Sequence, residues 1–192
     1  MTTQEVESYS GDSSFKYVDP LLKNNDRELM IVSPYISDYY TKLLIKEAQH
    51  KSIRIITSEN SLSYKDALLK NFVMKGMSAY IKGLVFFLIL DLISIYLKFT
   101  YTTIILTVIF LVWMLILVFI YKRYKKTYSN LKVKVAKERF VHEKLYIGSN
   151  MAITGSANLT YNGMHKNVEH IEVIKDPNRI KVLKVHFESL WR

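Results

Sequence analysis

His142 and Lys144 stand two residues apart, and sixteen residues beyond the histidine comes Asn158, preceded by Gly155 and Ser156. In an extended chain, side chains of like parity project from one face, so His142 and Lys144 share a side. Asn167 and Glu169 share one by the same rule. An imidazole can attack phosphorus, while lysine and asparagine hold the non-bridging oxygens of a phosphodiester. A carboxylate can orient the imidazole through its second nitrogen. This chemistry needs no metal or cofactor, and the sequence has no clustered carboxylates of the kind that hold a two-metal phosphodiesterase site.

The elements that must position these groups are legible as periodicity. Glu28 to Ile36 reads as a buried strand ending near Pro34. A helix follows, with Asp38 as its expected N-cap and Leu43, Leu44 and Ala48 as its apolar stripe. Ser52 to Thr57 is a second strand, and strand, helix, strand in this order predicts a parallel pair. Farther along, Leu131 to Val135, Phe140 to Ile147, Met151 to Thr154 and His170 to Ile174 are strand-like. Pro177 opens a last helix whose Ile180, Leu183, Phe187 and Leu190 share a face that should cover the sheet.

An apolar block interrupts this pattern. From Phe99 to Tyr121 there are 23 residues without a charge, and about 20 apolar residues suffice to span a bilayer core. The stretch from Ala79 to Leu97 is also apolar but carries Lys82 and Asp91. A charged Asp91 at mid-membrane would cost roughly 2.5–3.5 kcal/mol unless protonated or given a polar partner. With only Lys98, Phe99 and Thr100 between them, the two stretches predict a transmembrane hairpin over residues 79–121. Lys70, Lys75, Lys122, Arg123, Lys125 and Lys126 flank it, which places both flanks in the cytoplasm by the positive-inside rule.

Composition narrows the partners. The chain has 27 Lys+Arg against 17 Asp+Glu, a formal charge of +10, which favours nucleic acid or an anionic lipid surface. With no cysteine, disulfides, thiolate metal sites and a cysteine nucleophile are excluded within these residues. Residues 1–14 are polar, without the basic and apolar regions of a secretory signal, and are expected to be disordered.

His142-x-Lys144, then Gly155-Ser156-Ala157-Asn158-Leu159-Thr160, then Asn167-Val168-Glu169 together resemble the HKD motif of the phospholipase D-like superfamily, particularly its single-motif members. The strands around Val32 to Ile36 and Ile53 to Thr57 resemble that family's opening elements. The resemblance implies an α/β fold with a mixed sheet flanked by helices, here interrupted by the two-helix hairpin. Residues 15–78 and 122–192 would be its two parts. It further implies His142 as the nucleophile of a phosphohistidine intermediate. Lys144, Ser156 and Asn158 would contact the phosphate with Asn167 beside them, and Glu169 would orient His142. One motif per chain implies a homodimer in which the second His142 protonates the leaving group.

The sequence departs from the motif at Ser149, where the family has an acid five positions after the lysine, and the loop there is one residue short. The expectation is a membrane-anchored phosphodiesterase acting on phospholipid or nucleic acid. The alternative is a catalytically inactive, membrane-associated scaffold of the same fold.

Overall fold

The computed structural model describes residues 6–58, 63–136 and 141–192, leaving the side chains of 63–77, 79 and 124 undescribed. The chain forms two compact units, one from residues 1–66 and 127–192, the other from 67–126.

The first unit is built on a seven-stranded mixed sheet in the order β1-β7-β6-β5-β2-β3-β4. Strands β2 (Glu28–Val32) and β3 (Ser52–Ser58) pair in parallel, joined by helix α2 (Asp38–Glu47), as the sequence predicts. Strand β4 (Leu131–Ala136) lies parallel to β3 at the sheet edge. On the other side of β2 the sheet is antiparallel, through β5 (Leu145–Ile147), β6 (Ala152–Gly155) and β7 (Glu169–Ile174).

Strand parity divides the core between two faces. Leu29, Ile31, Ile53, Tyr146, Ile153 and Val173 pack against Val18, Leu21 and Leu22 of helix α1 (Phe15–Lys23) and Tyr40 and Leu44 of α2. Met30, Val32, Leu145, Ile147 and Ile174 meet Ile180 and Phe187 of helix α6 (Pro177–Trp191). The last helix covers the sheet as its apolar stripe requires, with the Asp176 carboxylate accepting from the Asn178 and Arg179 amides at its N-terminus.

The structure corrects several expectations. Within the start expected to be disordered over residues 1–14, Val6–Gly11 form strand β1, antiparallel to β7, while residues 1–5 lie outside the described ones. The strand has too little apolar alternation to be read from sequence. Backbone pairing holds it, with a 2.8 Å hydrogen bond between Ser10 Oγ and His170 Nδ1. The N-cap of α2 is Ser37 rather than Asp38.

The strand expected over Phe140 to Ile147 is only Leu145–Ile147. Its ladder with β2 ends at Val32, because Ser33 turns its amide to Ile56 O at 3.0 Å and Pro34 has no amide to offer. Residues 137–140 lie outside the described ones.

In the second unit, helix α3 (Ser63–Tyr96) and helix α4 (Thr100–Asn130) are joined by a short turn in which Lys98 adopts φ 61°. Both helices outrun the expected bounds of 79 and 121. Among the described residues, α4 is the one helix long and apolar enough to cross a membrane. The expected two-span hairpin is thus present as a helical hairpin with one clear candidate span among the described residues; α3 carries Lys82 and Asp91 within its apolar part. Asp91 has the polar partner it needs, accepting from Thr107 Oγ1 at 3.0 Å. Ser94 Oγ lies 2.9 Å from Thr103 Oγ1, and Trp113 Nε1 donates to Tyr80 O at 2.9 Å.

Candidate functional site

His142 and Lys144 lie in the extended stretch that leads into β5. Lys144 is only 4% exposed, and its ammonium reaches back to His142, 3.0 Å from Nε2 and 2.7 Å from the carbonyl oxygen. An ammonium has only hydrogens to give, so Nε2 accepts and holds a lone pair. Burial pushes the Lys144 pKa below its ordinary 10.5, and the negative charge of Glu169 opposes that shift.

Glu169, at the start of β7, gathers a second group. Its carboxylate accepts from Ser156 Oγ through Oε2 and from Asn167 Nδ2 through Oε1, the latter at 3.2 Å. Ser156 Oγ in turn accepts from the His170 amide at 3.0 Å. Ser156, Asn167 and Glu169 are thereby bound into one cluster, and the field of Glu169 links it to Lys144. Asn158 is half-buried, and its Oδ1 has no hydrogen-bond partner among the described residues.

The loop carrying Ser156 and Asn158 is fixed from below. Gly155 has φ +152°, and a Cβ there would collide with the backbone of His170 and Ile171. Tyr146, fully buried, donates to Ala157 O at 2.7 Å, and burial raises its pKa so that the phenol stays protonated. Ser33 Oγ accepts from the Leu159 amide at 3.0 Å, and the Ser37 amide donates to Leu159 O at 3.0 Å. Thr160 then caps the short helix α5 (Tyr161–His165) by accepting from the Gly163 amide at 3.0 Å.

Of these supports, Gly155 and Thr160 fall within the motif read from the sequence, whereas the parts played by Tyr146 and Ser33 are not anticipated there. Tyr146 could have been suspected from its alternation with Leu145 and Ile147, but Ser33 carried no signal. His165 stacks on Phe15 and Tyr161, with ring centroids 4.3 and 4.6 Å apart. Among the described residues no group of three His, Asp or Glu side chains is gathered to hold a metal ion.

This geometry places a lysine, a histidine and a carboxylate-centred polar cluster at the start of β5, the end of β6 and the start of β7 of one mixed sheet. Comparison with known proteins gives the class. The profile of the "Cardiolipin synthase, PLD-like domain" family matches residues 18–191, and the chain belongs to this phospholipase D-like family.

Among solved structures the fold is similar to that of Nuc, a phospholipase D family member from Salmonella typhimurium. The TM-score is 0.56 at 12% identity, over 97% of this chain and 95% of that one. NucT from Helicobacter pylori is similar at TM-score 0.54 and 13% identity, over 96% of this chain and 94% of its own. TrmBL2, an archaeal chromatin protein, is similar at TM-score 0.53 and 12% identity; all of this chain is covered, spanning 54% of TrmBL2. No curated protein sequence matches.

Proposed function

We propose that this chain is a membrane-anchored phosphodiesterase that works through a phosphohistidine on His142, its substrate a phospholipid headgroup or a nucleic acid. The observation that carries this reading is the contact between the buried Lys144 ammonium and His142 Nε2. In that contact Nε2 is the acceptor, and the ammonium supplies the positive charge a phosphate seeks. When a phosphodiester arrives, the ammonium turns to a non-bridging oxygen and frees the Nε2 lone pair. A nitrogen–phosphorus bond forms as the bond from phosphorus to the leaving oxygen breaks. Asn158 and Ser156 steady the phosphate, and Glu169 balances charge as the imidazole becomes cationic.

The leaving oxygen takes its proton from the partner subunit's His142 in a homodimer, and water or an alcohol then releases the phosphoryl group from His142. Membrane attachment is supported by α4, whose apolar side chains, including Ile104, Leu115 and Phe119, are exposed. A face of that kind calls for an apolar cover. Both flanks of the hairpin are then cytoplasmic.

The test uses the full chain in detergent with EDTA. It is offered fluorescent phospholipids, single- and double-stranded DNA, and bis(p-nitrophenyl) phosphate. Turnover of at least one should fall by about a thousandfold or more in His142→Ala. No turnover of any, or turnover unchanged in His142→Ala, would favour a non-catalytic binding protein instead.

A further inference from the structure

The β5–β6 connection matters to the site because β5 starts directly after Lys144 and β6 ends at Gly155, just before Ser156. The pairing of Leu145 with Thr154 sets how those side chains face one another. A slip of one residue would invert every side chain between the sheet faces. The β5–β6 ladder itself has three residue pairs. The turn is closed by Gly148 N donating to Met151 O at 2.9 Å, and its sequence, Gly-Ser-Asn, contains no acid.

A carboxylate reaches it from another part of the chain. Asp26, in the loop between α1 and β2, accepts from the Ser149 amide at 2.8 Å. It also packs so closely on Gly148 that a Cβ there would collide with its Oδ2. Asp26 is itself held in place. Asn24 Nδ2 donates to its Oδ2 at 2.6 Å, and its amide donates back to Asn24 Oδ1 at 3.1 Å. Beneath, the buried Lys51 ammonium donates to Leu22 O at 2.7 Å and also to Asn24 O.

We infer that Asp26 is a positioning residue of the site: its carboxylate, supplied across the fold, locks the Gly148–Met151 turn and so sets the register of Lys144 against Ser156. It thereby does the work of an acid at position 149, which this chain lacks. The inference rests on the phosphodiesterase reading, and its test separates the two.

Turnover of the best substrate in the panel, amide hydrogen exchange at Ser149 and Leu145, and thermal midpoint are measured for four full-length proteins: the parent, Asp26→Ala, Ser149→Asp, and Asp26→Ala with Ser149→Asp. Asp26→Ala should lower kcat by tenfold or more with KM changed less than threefold, and should speed exchange at Ser149. The double variant should recover at least a third of the lost kcat and restore slow exchange, whatever its thermal midpoint. Ser149→Asp alone, with two carboxylates on one turn, should be slower than the parent.

A purely structural part for Asp26 would lower the thermal midpoint without this reciprocal rescue, and that result overturns the inference. So does kcat within twofold of the parent in Asp26→Ala. If the parent turns over nothing, the phosphodiesterase reading falls, and exchange alone decides: faster in Asp26→Ala and restored in the double variant supports the lock, unchanged exchange removes it.

Discussion

Burying an ammonium without a carboxylate in bonding contact disfavours its charge, and Lys144 is so placed, bonded to an imidazole and a carbonyl. Because its pKa in the folded protein lies below the ordinary 10.5, folding penalises the protonated form. The penalty is full at low pH and fades as pH climbs toward 10.5. Denaturant unfolding of the parent and of Lys144→Met across that range should therefore show the parent gaining on the variant on the alkaline side. A constant difference would remove the assignment. At this scale the sequence was informative about residue type and spacing, since His142 and Lys144 do meet. It was silent on Asp26, whose place over the Ser149 amide depends on two segments more than a hundred residues apart in the chain.

Among the elements, legibility followed apolar periodicity. β2, β3, β7 and α6 carry strong patterns because each buries a face, β4 alternates with Leu131 and Val133 half-buried, and all five form close to where they are expected. β1 and α5 carry none: one is an edge held by backbone bonds, the other a five-residue turn of helix capped by Thr160. The junction between β6 and the Ser156 loop depends on backbone conformation instead. At Gly155 any Cβ meets neighbouring backbone that has no room to move. Gly155→Ala should cost about 2–4 kcal/mol in urea unfolding and depress turnover with it. A loss under about 0.5 kcal/mol would mean that the strand pair can relax around the added methyl.

At the scale of the whole molecule, the family's domain was recognisable because its motif elements are widely separated yet fall on consecutive antiparallel strands. Their assembly into an active unit rests on the proposed dimer. If each site needs a histidine from both protomers, unfolding and reassociating the parent with an equal amount of His142→Ala leaves only parent–parent dimers working. These make up about one quarter of all dimers under random pairing. Activity per total protein should then fall to about one quarter of the parent's. A fall to one half would indicate protomers that act alone.

The sheet also constrains the helices it brackets. Because β3 and β4 are adjacent parallel strands, the chain leaves the sheet at the C-terminal end of one and rejoins it at the N-terminal end of the other, at opposite ends of the same strand pair. If α4 crosses a bilayer, as proposed, a chain whose two ends belong to one sheet on one side must cross it an even number of times. Among the described residues α3 is the helix that would supply the second crossing in that proposal, and the Thr107 hydroxyl donating to Asp91 would give its carboxylate the polar partner such a passage requires.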